Sequence, residues 1–247
     1  MKIGAIAAGV LTLASAWNMP AAAAEVVLVA SNAINAVLDE VVPQFERASG
    51  HKVTMRLGIA SALRKEIEGG AAFDVTILVG NLDDLVKQGK VAAGTPAGLG
   101  RSGYGLAVRQ GAPKPDIGTA EAFKQTMLNA KSIGYTEGGG SGAYFVGLLD
   151  RLGIADAMKP KLRAGTNMQA AVARGEVEMT VNGIVPILRA PGIELVGPLP
   201  PELQSYSPFY AGVSAASKNA DAANALVAFL KSPASVAVFK KRGVEPL

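Results

Sequence analysis

Three places in this 247-residue chain set small polar residues at the start of a helix: Ser31-Asn32, Ala60-Ser61 and Gly140-Ser141-Gly142. At such a start the first backbone N–H groups lack a partner inside the helix, and the positive end of the helix dipole lies beside them. The chemistry this offers is capture of an anion by neutral donors. Taken singly, each Ser or Asn is explained as well by capping its own helix. Three in succession, one of them inside the small-residue run Gly138 to Gly142, favour a shared cradle. Side chains suited to bond-breaking are scarce. The chain has no Cys and one His, which removes disulfides, thiol nucleophiles, Cys-ligated zinc and iron–sulfur clusters. His51 falls between a helix end and a strand, where an exposed loop residue explains it better than the base of a triad. Ser61-Ala62-Leu63-Arg64 has Arg where a Ser-x-x-Lys nucleophile motif needs Lys. Asp83-Asp84 beside Lys87 reads as a solvated helix face, and Lys240-Lys241-Arg242 as cations on a last helical turn. Gly138-x-Gly140-x-x-Ala143 matches a dinucleotide fingerprint only loosely, because no acidic residue closes a following strand about 20 residues on. The run also lacks the Gly-Lys-Ser/Thr ending of a P-loop. The expectation is a binding protein rather than an enzyme, with no cofactor and no free metal cation.

The elements that must hold these helix starts alternate along the chain. Val26 to Ala30 reads as a strand, followed by a helix with Ile34, Val37, Leu38, Val41 and Phe45 on one side. Pro43 should kink that helix or restart a turn, and Gly50 should close it. Val53 to Leu57 alternates as a strand, Ser61 opens a second helix, Val75 to Val79 is a buried strand, and Asn81 caps Leu82 to Gln88. Strands follow near 105–109 and 132–135, with a helix between them near 120–128. A helix after Gly142, a region of helix and loop over Lys159 to Arg163, and a short helix from Asn167 to Ala173 come next. Val177 to Val181, residues near Glu194 to Val196, and Phe209 to Ala215 read as strands, and Asn219 and Ser232-Pro233 introduce two closing helices. This order predicts an α/β protein with parallel sheets flanked by helices, its ligand loops at the carboxyl ends of strands.

Composition agrees with a globular chain: 49% hydrophobic and 18% charged residues suffice for one large or two small domains. A formal charge of +4, without a window of dense Lys/Arg interleaved with aromatics, argues against nucleic acid. Lys2, the apolar stretch Ile3 to Ala14 and the Ala22-x-Ala24 pattern read as a signal peptide over residues 1–24. The expected address is the periplasm, with no membrane insertion after cleavage.

Further runs carry a family resemblance. Val29-Ala30-Ser31 precedes an Asn35-Ala36 helix, Phe45-Glu46 with Ser49-Gly50 precedes a strand, and Leu63 to Gly70 leads to Phe73-Asp74-Val75. Gly197-Pro198-Leu199-Pro200 and the stretches Phe229 to Pro233 and Gly243 to Pro246 complete the set. Through them residues 25–247 resemble the periplasmic substrate-binding components of ABC transporters, in particular a divergent paralogue of the molybdate-binding type. The resemblance implies a two-lobed type II fold, with lobe one formed by 25–103 and 208–247 and lobe two by 104–207. Crossing strands are expected near Tyr104 to Val108 and Pro208 to Val213. It implies a monomer that captures a small oxyanion, molybdate or tungstate first, and serves a membrane permease. A different oxyanion or a small carboxylate stands close behind, and a sensor or an exported enzyme on the same scaffold is the competing class. The ligand-binding residues it implies are Ser31 with Asn32, Ala60 with Ser61, Ser141 with Gly142, then Asn167 and Asn182. Ala60 stands where the family has a ligating Ser, so Ser61 or the backbone at 60 must substitute, and Asn182-Gly183 occupies the stretch where a Tyr is expected. Arg64, beside Lys65 and Glu66, is expected on the surface of its helix; turned into the cleft it would favour a carboxylate.

Overall fold

The computed structural model describes residues 23–247, so the expected signal peptide lies outside the described residues except for its last two. The chain runs β1 (Glu25–Ser31), α1 (Asn35–Ser49), β2 (Lys52–Gly58), α2 (Ala60–Glu68), β3 (Val75–Val79), α3 (Asp83–Lys87) and β4 (Ala97–Arg109). It continues α4 (Ala120–Asn129), β5 (Ile133–Thr136), α5 (Gly140–Arg151), α6 (Ala155–Met158), β6 (Leu162–Gly165) and α7 (Met168–Ala173). Then come β7 (Met179–Gly183), α8 (Ile184–Arg189), β8 (Ile193–Pro198), β9 (Tyr206–Val213), α9 (Ala220–Leu230) and α10 (Pro233–Lys241). No single helix among the described residues is long and apolar enough to cross a membrane.

The strands lie in the order β2-β1-β3-β9-β4-β7-β5-β6, with β8 beside β4. Two parallel trios, β2-β1-β3 and β7-β5-β6, are joined through the antiparallel strands β9 and β4. The sheet is therefore mixed rather than purely parallel. β4 belongs to both halves: Ala97 to Gly103 pairs with β9, and Tyr104 to Arg109 pairs with β7 and β8. The chain returns at Gln204, whose side chain accepts from the Tyr104 N–H at 2.8 Å and donates to the Tyr104 carbonyl at 2.9 Å.

Strand alternation explains the packing. On β1 and β3, Leu28 and Ile77 face one core with α1, α9 and α10, while Val29 and Leu78 face another with α2 and α3. Both faces are covered, so these strands read as unbroken apolar runs. In the second half Leu106 and Val108 face Phe123, Phe145 and Leu148, and Ala107 faces Val172 and Ile187. α8 ties the halves together, with Val185 in the first half's core and Ile187 in the second half's. This six-residue helix with Pro186 inside is too short for periodicity to reveal.

Several local expectations are corrected. α1 runs on through Pro43, which removes only the bond to the carbonyl of Asp39, an exposed residue open to solvent. Its end is as expected: Gly50 takes φ 76° and donates to the Glu46 carbonyl at 3.0 Å. α2 starts at Ala60 after Ile59, so Ser61 lies within the first turn instead of opening it. α3 begins at Asp83, and Asn81 reaches only the Asp83 N–H, at 3.4 Å. β6 occupies residues expected as helix and loop, and β7 sits two residues later than the expected strand, ending at Gly183. Asn219 does not cap α9 with its side chain, which donates to the Glu25 carbonyl instead.

Candidate functional site

Between the two half-sheets opens a cleft of about 1360 Å³, lined by Ser31, Asn32, Ala60, Ser61, Ser141, Gly142, Asn167 and Asn182 together with residues the sequence did not single out. The first wall comes from β1 and α2. Ser31 ends β1, is 3% exposed, and accepts the Ala33 N–H at 3.2 Å to cap a single 3-10 turn ahead of α1. As an acceptor there, it keeps its own hydroxyl hydrogen to donate. At α2 the Ala62 and Leu63 N–H groups return to the Ile59 carbonyl, while the Ala60 and Ser61 N–H groups have no partner among the described residues. No side chain caps this helix.

The second wall comes from β5, α5 and β7. α5 is also without a side-chain cap, and its Ser141 and Gly142 N–H groups have no backbone partner among the described residues. Gly142 permits this placement, because a Cβ there would fall onto the Thr136 carbonyl oxygen. Asn182, 5% exposed, orders the wall from behind. Its Oδ1 accepts from the Ser141 hydroxyl at 3.0 Å and the Gly183 N–H at 2.7 Å, and its Nδ2 donates to Thr136 Oγ1 at 3.0 Å. Asn182 is thus a positioning residue whose hydrogen-bonding capacity is largely used within the wall. Ser141 donates its hydroxyl hydrogen bond to Asn182 and offers the cleft its N–H. Thr136, an acceptor from Asn182, keeps a hydroxyl donor that sequence reasoning missed. Asn167 accepts the Ala170 N–H at 3.3 Å as the cap of α7.

The floor is aromatic. Tyr104 is 8% exposed, stacks on Tyr144 at 4.8 Å and places its hydroxyl 2.8 Å from Ser207 Oγ. Burial pushes its phenol above the ordinary 10.0, against the opposing Ser207 hydrogen bond, so it stays un-ionised at physiological pH. A Tyr is absent from β7, but Tyr104 and Tyr135 line the cleft from β4 and β5.

Charge enters at three points. Arg64 does not lie on a free surface: it lines the cleft, its side chain 23% exposed. Its Nη1 donates to both oxygens of Asp84, at 2.6 Å to Oδ2, and its Nη2 to the Asn81 carbonyl at 2.9 Å. Asp84 is therefore Arg64's partner rather than part of a merely solvated face. Burial would raise the Asp84 carboxyl, but the hydrogen bond and charge of Arg64 outweigh it and hold the pKa below 3.8. Arg189 at the cleft edge pairs with Asp39 at 2.8 Å, linking α8 to α1. Glu137 is the one carboxylate in the lining among the described residues. Neutral donors thus dominate both walls, with two carboxylate-paired guanidinium groups, Arg64 and Arg189, beside them.

Known proteins share this chain's length and architecture. A Pseudomonas protein named aconitate isomerase is 32% identical over 259 residues, covering 100% of this chain and 97% of that one. The molybdate-binding protein ModA of Azotobacter vinelandii is 29% identical over 260 residues, covering 97% of this chain and 94% of its own. The solved periplasmic molybdate-binding protein of the same organism superposes with a TM-score of 0.73 at 17% identity, covering 89% of this chain and 98% of that chain. The fold is the type II periplasmic binding protein fold, in which substrate-binding members predominate. A family model matches residues 26–245, and the chain belongs to the bacterial extracellular solute-binding proteins.

Proposed function

We propose that this protein captures a small anion in the periplasm and hands it to the permease of an ABC importer. The observation that carries this reading is the pair of helix N-termini, α2 and α5, left without side-chain caps on opposite walls of one cleft. Ser31 and Thr136 hydroxyls stand beside them. Hydrogen bonds to a charged group contribute roughly 1.5–3 kcal/mol each, so a few neutral donors suffice for capture. Capture then means closure of the segments 25–103 and 208–247 onto 104–207 about β4 and the return at Gln204.

Among anions, small carboxylates stand ahead of molybdate and tungstate. Ala60 lacks the hydroxyl that the molybdate type has there, Asn182 faces its own wall, and Arg64 reaches the lining. The relative named aconitate isomerase points the same way. The test is thermal melting of residues 25–247, freed of ligand, with molybdate, tungstate, sulfate, phosphate, aconitate and simpler carboxylates, followed by calorimetry. Ligand at 100 times its Kd adds about 2.7 kcal/mol of stability. A shift with carboxylates is expected, and no shift with any anion would sink the reading.

A second reading follows from the same relative and from Glu137: the cleft converts its carboxylate by moving a proton between carbons. Glu137 is the lining group suited to accept a proton from carbon beside a carboxylate and return it. Incubation with either geometric isomer of aconitate, separated by chromatography, tests it. Turnover lost in Glu137→Gln supports the conversion, and no turnover leaves binding alone.

A further inference from the structure

We infer that Arg64 forms a second anion subsite, so that the cleft selects molecules with two or more carboxylates over single-centred anions. The inference rests on the reading of the cleft as an anion site and names the ligand class it takes. Arg64 lies four residues after Ala60 on α2, just over one turn or about 6 Å along the same face. Arg64 lines the same cleft as Ala60 and Ser61, whose N–H groups lack partners among the described residues. At residue 60 the side chain is a methyl group, which offers the cleft no donor of its own.

A guanidinium has five N–H groups. Two of Arg64's go to Asp84 and one to the Asn81 carbonyl, leaving Nε–H and one Nη2 hydrogen without a partner among the described residues. The brace on α3 fixes the side chain, so little rotamer freedom is lost when those donors engage a ligand. Asp84 stays ionised and cancels most of the Arg64 charge, so the subsite works by directed hydrogen bonds more than by net charge. A tetrahedral oxyanion is a single compact centre and satisfies one donor set. A ligand with carboxylates a few bonds apart satisfies the α2 terminus and Arg64 together.

The test is calorimetry on residues 25–247 with acetate, succinate, tricarballylate, citrate and molybdate, using the natural chain, Arg64→Gln and Arg64→Lys. Ligand-free circular dichroism and melts check folding, and Arg64→Lys, which keeps the charge without the fork, serves where Arg64→Gln is unfolded. The natural chain is expected to bind at least one polycarboxylate tenfold or more tighter than acetate, and the folded variant to lose that ratio. A natural chain that binds acetate or molybdate as tightly as every polycarboxylate overturns the inference and leaves the anion site standing. A folded variant that keeps the natural ratio does the same, and reduces Arg64 to a tie between α2 and α3. Binding of none of the five ligands overturns the anion site itself, and the inference with it.

Discussion

The two walls of the cleft present similar donors and hold them by different means. On the second wall, Gly142 lies too close to Thr136 for any side chain, and one buried amide, Asn182, ties Ser141, Gly183 and Thr136 into a single network. On the first wall Ser31 makes a local cap, α2 begins bare, and a charged side chain braced from outside stands at the edge. One wall is set by backbone contact and buried hydrogen bonds, which have one arrangement. The other is set by local turns and an ion pair that solvent partly reaches, which tolerate adjustment. The donors of the second wall are thus fixed in place, and those of the first are free to adjust.

The sharpest way to break this comparison is Asn182→Leu. It leaves the Ser141 hydroxyl, the Gly183 N–H and Thr136 without their partner, at roughly 1–3 kcal/mol for each group left buried and unpaired. A melting temperature lowered by several degrees and an affinity reduced more than tenfold are expected from calorimetry. An effect no larger than that of a first-wall change would erase the distinction between the walls.

Ser141→Pro comes next. Proline is tolerated in the first helical turn, but the variant loses both a cleft-facing N–H and the hydroxyl that donates to Asn182; titration is expected to give about tenfold weaker binding, with a melt lowered less than by Asn182→Leu. Ser31→Ala removes one hydroxyl donor and a local cap, and several-fold weaker binding is expected, again read by titration.

The smallest effect belongs to Asp84→Asn. A carboxyl whose folded pKa is depressed adds stability above its unfolded pKa, and that stability is lost as pH falls through the folded value. The melting difference between Asp84→Asn and the natural chain is therefore expected at neutral pH and should vanish as pH drops below 3.8. It should be small, because the Asp84 side chain is 46% exposed. A difference that persists unchanged at acidic pH would show that the pair with Arg64 does not hold the first wall.

Helix starts were legible because their signals are local. Small polar residues after an apolar run mark the end of a strand and a turn into a helix, and Ser31, Ser61 and Ser141 carry that mark in their immediate neighbours. Roles were not legible where a partner is distant in sequence. Asn182 meets Ser141 and Thr136 across 41 and 46 residues, and within its own segment nothing distinguishes it from a residue facing a ligand. Arg64 sits beside Lys65 and Glu66, the signature of a solvated face, and only Asp84, 20 residues on, reveals the brace. α8 hid because six residues around a proline show no period.

What the amino-acid sequence determined by itself was the alternation of strands and helices, the placement of bare N–H groups at helix starts, and the absence of thiol chemistry. Each follows from residue type and near-neighbour spacing. Tertiary structure alone decided that β4 is shared between two half-sheets, that the helix starts face one cleft, that Asn182 serves its own wall, and that Arg64 is held against the lining. Hydrogen bonds and close contacts between distant segments form only after the cores have packed, and their energy depends on distances that no single stretch of chain encodes.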